Sequence, residues 1–187
     1  LGLALLAVAI SAKLYPAVVA PIALAYVWHR RGRREALVAA GALVGALLAI
    51  FLPFAILSPD GMRYAFERQT GRPLQLESTG AAILHAAHGL GLYDPTVENG
   101  FGSQNLAGDA ADTLATLSTA LQAVLLVGIW VAFAVGRRGI RPRVDDLLLA
   151  SAAAVTAFIA FGKVLSPQYM VWLFALAPVV AGRRGIA

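Results

Sequence analysis

Long apolar segments, separated by short polar punctuation, run through most of this chain. Ala36–Leu57 extends for 22 residues without a charge. As a helix it would be about 33 Å long, enough to cross a hydrocarbon core of roughly 30 Å. Pro53 lies near its far end, where neighbouring helices or hydroxyls can cover the freed carbonyl. Further apolar runs occur at Leu1–Ala12, Pro16–Trp28, Leu114–Val135, Val144–Phe161 and Met170–Ala181. The pattern predicts an all-α, polytopic transmembrane protein with about six membrane segments. Pro16–Trp28 and Met170–Ala181 are short for full spans. A residue before proline is pushed out of the helical region, so Tyr15 and Ser166 are expected to mark breaks.

Between the apolar halves lies a polar stretch, Asp60–Asp112. It carries Asp60, Glu67, Glu77, Asp94, Glu98, Asp109 and Asp112 against Arg63, Arg68 and Arg72. Connections this long in compact proteins are often functional. Asp60–Gln69 reads as a helical piece, and Ser78 is placed to cap a helix over Thr79–His88. Gly89–Gln104, rich in Gly, Asn, Asp and Pro, reads as irregular. The expected organisation is therefore 1–57 transmembrane, 58–113 extracytoplasmic with short helices, 114–182 transmembrane and 183–187 a cytoplasmic tail, all within one membrane domain. Leu1 falls inside an apolar run with no initiator Met and no basic n-region. Leu1–Ala12 thus reads as the tail of a span, and the chain as a C-terminal fragment with further spans upstream.

Composition narrows this picture. The chain is 59% hydrophobic and 13% charged, with mean hydropathy +0.75, which excludes an ordinary soluble domain of this length. A formal charge of +5 raises nucleic acid as a partner, but its distribution argues otherwise. Ten of the 13 arginines fall in the clusters Arg30–Arg34, Arg137–Arg143 and Arg183–Arg184, each beside an apolar segment. That is positive-inside patterning, and no aromatic side chains alternate with the arginines as stacking platforms would. With the clusters cytoplasmic, every crossing alternates and 58–113 lies outside. The absence of cysteine excludes disulfides and thiolate sites.

The chain has only two lysines, Lys13 and Lys163. Each closes an apolar run and is followed within four residues by proline, then by a short apolar stretch. Snorkelling at helix ends would account for both, yet arginine supplies interface charge everywhere else in this chain. Two isolated ammonium groups at broken helices point to an anion site on the outer face. Arg72 adds a guanidinium able to grip a phosphate through paired hydrogen bonds. Gln75 and Glu77 alternate with Leu74 and Leu76, so an extended stretch would present the polar pair on one face, suited to sugar hydroxyls. His85 and His88 would share a helical face but lack further ligands for a metal site, and no cofactor motif is evident. Asp145 and Asp146 suit the dipole at a helix start. No Walker loop or nucleophile elbow occurs.

Three of these pieces together carry a family resemblance. Lys13-Leu-Tyr-Pro16, Arg72-Pro-Leu-Gln-Leu-Glu-Ser78 and Lys163-Val-Leu-Ser-Pro-Gln-Tyr-Met-Val-Trp172 resemble the C-terminal half of bacterial glycosyltransferase family 87, multi-span enzymes of the GT-C type. The resemblance implies transfer of a hexose, often mannose, from a polyprenyl-phosphate donor to a glycolipid or cell-envelope glycan outside the cytoplasmic membrane. It implies that Lys13, Lys163, Arg72, Tyr15, Gln168 and Tyr169 bind the donor phosphate, with Gln75 and Glu77 nearer the sugar or acceptor. The catalytic base would come from an outer loop preceding Leu1, with Glu77 a weaker candidate. A transporter or flippase component for lipid-linked sugars is the alternative, because broken helices at a substrate site suit transport equally.

Overall fold

The uncharged run after Arg34 folds as a single helix, Arg33–Leu57, and passes through Pro53 without a break. The structure is a computed structural model that describes residues 1–136 and 141–176. It is mostly helical. The helices are α1 (Gly2–Ala12), α2 (Ala20–Arg31), α3 (Arg33–Leu57), α4 (Pro59–Thr70), α5 (Thr79–Gly89), α6 (Asp109–Gly136), α7 (Val144–Ala160) and α8 (Met170–Leu176). Two of them, α3 and α6, are long and apolar enough to cross a membrane. Helix α6 starts five residues before the apolar run begins at Leu114. Asp109 and Asp112 occupy its first turn, where carboxylates complement the helix dipole.

These two helices bury little of themselves. Leu48 and Phe54 of α3 are 54% and 62% exposed, and Val124 and Val131 of α6 are 67% and 52% exposed. The core helix of a soluble domain would hide such side chains, and contiguous apolar surface marks contact with a membrane or a partner. Their other faces pack. Leu43 of α3 meets Leu3, Ala7 and Ile10 of α1. Leu126 and Phe133 of α6 join Val18, Ile22, Ala154, Val155 and Ile159 in the largest apolar cluster.

Both lysine segments are breaks, though not both at the expected residue. Lys13 itself is extended, with φ −160° and ψ 133°. Tyr15 opens a 3-10 turn, Tyr15–Val19, with Pro16 at its start, where a missing N–H removes no hydrogen bond. The first break therefore falls two residues before Tyr15. At the second, Ser166 is extended (φ −118°, ψ 140°), and the 3-10 turn Pro167–Tyr169 leads into α8.

The polar stretch departs from the all-α expectation. It contains a three-stranded antiparallel sheet with strands β1 (Leu74–Gln75), β2 (Thr96–Gly100) and β3 (Ser103–Ala107) in the order β1-β3-β2. Gly89–Gln104, read as irregular, holds β2 and the start of β3. Turn chemistry explains the difference. Phe101 and Gly102 both have positive φ, 57° and 72°, the twist that suits a two-residue hairpin loop. Asn105, buried in β3, locks the turn by donating to the carbonyls of Gly100 (2.9 Å) and Ser103 (3.2 Å). Leu74 and Leu106 face each other in the ladder and pack on Ala81 and Leu84 of α5 and on Ala111 and Ala115 of α6. Ser78 caps α5 as predicted, its hydroxyl accepting from the Ala81 amide at 3.2 Å.

Charge separates along the helices. Arg30 donates to the Pro142 carbonyl at 3.4 Å and His29 Nε2 to the Ala134 carbonyl at 2.9 Å, so Arg30–Arg34 and Arg141–Arg143 occupy one end. The Arg143 amide donates to the Asp146 carboxylate at 2.7 Å, and Asp145 pairs with Arg143, which ties both acids to the start of α7. Lys13, Lys163 and the polar stretch gather at the other end. Arg137, Arg138, Arg183 and Arg184, and the last expected segment beyond Leu176, lie outside the described residues.

Candidate functional site

The two breaks meet. Trp172, in the first turn of α8, stacks on Tyr15 with ring centroids 3.6 Å apart and planes 5° from parallel. It stacks on Tyr169 at 4.2 Å and 18°. Lys13 Nζ lies over this platform, 4.8 Å from the Trp172 centroid and 5.4 Å from that of Tyr169. Such cation–π contacts hold an exposed ammonium without neutralising it. Trp172 is absent from the site expected from sequence. Its spacing of three from Tyr169 puts both on one helical face, and that spacing was the available signal.

Beside the platform is a cleft of about 480 Å³ lined by Lys13, Tyr15, Arg72, Gln168, Tyr169 and Trp172 among others. A second cleft of about 320 Å³ is lined by Lys163, Thr119 and Gln122 and shares Gln69, Arg72 and Tyr169 with the first. Arg72 and Tyr169 thus stand where the two clefts meet. Five of the six residues expected at the donor phosphate line the larger cleft, and the sixth, Lys163, lines its neighbour. Among the described residues, neither cleft is lined by an aspartate or a glutamate.

Each cation is held differently. Arg72 Nη2 donates to Ser103 Oγ at 3.1 Å and to the Phe101 carbonyl at 3.4 Å, so the hairpin fixes the guanidinium. Its Nε is buried with no acceptor among the described residues. Arg68 supports the same hairpin turn, its guanidinium 4.3 Å from the Phe101 ring centroid. Lys163 donates through Nζ to the Thr70 carbonyl at 3.0 Å, at the carboxyl end of α4. Its own carbonyl accepts from the Gln75 amide at 2.9 Å. Partial burial pushes the Lys163 ammonium below the usual lysine range, because desolvation disfavours the charged form. Among the described residues, none of the three cations has an ion-pair partner.

The second break is also braced from α6 and α5. Gln122 Nε2 donates to the Phe158 carbonyl and Thr79 Oγ1 to the Ala160 carbonyl, each at 2.6 Å. These bonds satisfy the open carbonyls at the end of α7. A Cβ at Gly162 would come within 2.8 Å of Gln122 Nε2 and 2.9 Å of the Phe158 oxygen, so the chain passes closely here because residue 162 is glycine.

Gln75 and Glu77 are not presented together. The strand stops at Gln75, whose carbonyl accepts from the Ser78 amide at 2.9 Å, closing a turn through Leu76 and Glu77. Gln75 is buried, its Oε1 without a partner among the described residues. Glu77 is exposed on the turn and lines neither cleft. The alternation that would align them needs two more extended residues, which the Ser78 cap of α5 displaces. His88 Nδ1 lies 2.8 Å from the Tyr93 carbonyl, tying the end of α5 to the following loop, and His85 is exposed.

Chemically, this is a polar junction at the ends of apolar helices, able to take a multiply charged anion with an aromatic face beside it. No family model, curated protein or solved structure matches the chain. The geometry defines a helical protein with a cationic cleft that no carboxylate among the described residues lines.

Proposed function

We propose that this chain is the cation-bearing part of a membrane hexosyltransferase resembling glycosyltransferase family 87, of the GT-C type. It moves a hexose, mannose in the first instance, from a polyprenyl-phosphate donor to a glycolipid or cell-envelope glycan. The observation that carries this reading is the convergence of Lys13, Arg72 and Lys163, from remote stretches, on adjoining clefts that no carboxylate among the described residues lines. In the same reading the chain resides in a bacterial cytoplasmic membrane with six segments, and residues 58–113 face outward. Exposed apolar faces on α3 and α6 support the embedding, and the gathering of arginines at the opposite end supports the orientation. Lys13 and Lys163 follow the ends of α1 and α7, which favours transfer at the surface over a transport site near the midplane.

In this reaction a base takes the acceptor hydroxyl proton, and the acceptor oxygen bonds to the anomeric carbon. The bond from that carbon to the phosphate oxygen breaks, and its electron pair leaves with the lipid phosphate. The transition state has oxocarbenium character. Charge growing on the leaving phosphate is stabilised by preorganised cations, more strongly in a partly dry cleft than in water. Arg72, fixed by the hairpin, suits the phosphate oxygens, and Lys13 and Lys163 flank it. Tyr15, Gln168 and Tyr169 offer neutral donors. By the family resemblance the base is a carboxylate of an outer loop, and Glu77, the weaker candidate in this chain, lines neither cleft.

The test uses membranes containing the product of the full-length gene and labelled polyprenyl-phosphate hexoses. Transfer is expected; it should fall about 100-fold in Lys163→Ala and disappear on replacing the acidic outer-loop residue that serves as base. Undiminished transfer in Lys163→Ala would remove that lysine from the phosphate site.

A further inference from the structure

A second site lies at the arginine end, remote from the lysines. We propose that the groove between α2 and α3 holds one anionic phospholipid, an acyl chain in the groove and the headgroup phosphate on the arginines at its mouth. The proposal rests on the membrane residence argued above but not on the transfer reaction.

The groove encloses about 460 Å³ and is lined by Leu24, Ala25 and Trp28 of α2 and Ala36, Leu37 and Ala40 of α3. It exists because alanine occupies three of these positions, and a longer side chain at any of them would occupy the space. The two helices are joined by Gly32 alone, at φ 90°, a conformation that residues with a Cβ rarely adopt. That sharp reversal keeps the mouth of the groove and the arginines at one level. His29 also lines the groove, but its Nε2 is 2.9 Å from the Ala134 carbonyl. A carbonyl only accepts, so this nitrogen carries the proton and is already engaged. The lining is otherwise apolar.

Arg30, Arg31, Arg33 and Arg34 flank the turn next to the lining residues His29 and Ala36, and Arg33 shares the α3 face of Ala36, Leu37 and Ala40 at helical spacing. Arg30 reaches the Pro142 carbonyl and lies 6.0 Å from the Tyr26 ring centroid. Arg31, Arg33 and Arg34 are exposed, with no hydrogen-bond or ion-pair partner among the described residues. Glu35 is the only carboxylate between Trp28 and Ala40. Trp28, half exposed on the rim, suits the interfacial zone where indoles concentrate. A soluble anion would have no use for the apolar groove, and a neutral lipid none for the unpaired guanidinium groups. An anionic lipid uses both, and basic pockets between spans on the cytoplasmic side are where such headgroups bind.

The test follows Trp28 fluorescence in phosphatidylcholine vesicles containing chain-brominated phosphatidylglycerol or, at equal mole fraction, chain-brominated phosphatidylcholine. The Trp28 signal is the difference between the wild-type protein and Trp28→Phe. Stronger quenching by the brominated phosphatidylglycerol is expected. Replacing both Arg33 and Arg34 by Gln, at exposed positions, should reduce that preference by about 25-fold, roughly fivefold per arginine. Ala40→Leu should abolish the preference by filling the groove. Equal quenching by the two brominated lipids would overturn the proposal and leave membrane residence intact. Trp28 unquenched by both while Trp130 or Trp172 responds would show a protein segment in the groove instead. If no tryptophan responds, membrane residence itself falls.

Discussion

Lys13 and Lys163 occupy similar sequence contexts and end in different physical environments. Each follows an apolar helix and precedes a 3-10 turn with proline in its first two positions. Lys13 remains exposed, held over the Tyr169 and Trp172 rings. Lys163 is partly buried, bonded through Nζ to Thr70 and through its carbonyl to Gln75. One ammonium is available to a ligand without breaking a hydrogen bond, whereas the other must exchange its bond to α4 for a bond to the ligand. The difference arises from what packs on each break. At the first, the turn after Lys13 packs on α6 and α7 through Val18 and leaves the ammonium beside the aromatic platform, whereas the second is enclosed by the polar stretch, α6 and the end of α4.

The largest expected effect comes from Arg72, the cation that lines both clefts. Arg72→Ala should lower sugar transfer by about 100- to 1000-fold, the range for removing a preorganised donor to a developing anion. Arg72→Lys should recover little, since an ammonium cannot reproduce the planar fork. Transfer assays with labelled donor measure both. Retention of activity in Arg72→Ala would separate the two clefts and dissolve the comparison.

Next in size is Lys163. Lys163→Ala should cost about 100-fold in transfer and also speed hydrogen exchange across α4, because the Thr70 carbonyl loses its donor. Lys13→Ala should cost about tenfold, its charge acting through a higher dielectric, with exchange in α4 unchanged. Equal exchange behaviour in the two variants would show that the Lys163 bond does not anchor α4.

The pH profile sharpens the same contrast. Anion binding needs the ammonium form, so the Lys163 contribution should fall as pH rises through a value below the usual lysine range. Lys163→Arg should move that alkaline fall upward. For stability the sign is opposite. Between the depressed folded pKa and the ordinary unfolded one, the unfolded state binds more protons, so this residue's contribution to stability rises with pH across that window. Titration of anion affinity in the wild-type and Arg variants checks the first part, and denaturant midpoints check the second.

Smallest is the coupling of the two breaks through their rings. A double-mutant cycle of Tyr15→Leu and Trp172→Leu should give an interaction of about 1 kcal/mol in stability. A coupling near zero would mean that the breaks sit side by side without holding each other.

Much of the fold was legible residue by residue. The apolar run to Leu57 predicted α3, the Ser78 cap predicted the start of α5, and Asp145–Asp146 predicted the start of α7. Each is a local event, decided within one or two turns of helix. The hairpin was hidden because its loop is Phe101-Gly102 rather than Asn99-Gly100, and positive φ at phenylalanine is not foretold by propensity. The first break moved to Lys13 because Pro16 fits the opening of a 3-10 turn. Trp172 escaped notice as a site residue because its role depends on Tyr15, 157 positions away in the chain.

The sequence by itself determined the apolar segmentation, the separation of arginine from lysine along the helices and the cationic character of the candidate site. These follow from hydropathy, charge and proline placement, which act locally. Only the tertiary structure decided that the two breaks adjoin, that Arg72 stands where their clefts meet, and that Glu77 turns away. Those outcomes depend on the sheet docking Leu74 and Leu106 onto α5 and α6. Packing between elements distant in the chain sets which polar groups share a cleft, and no local pattern encodes that distance.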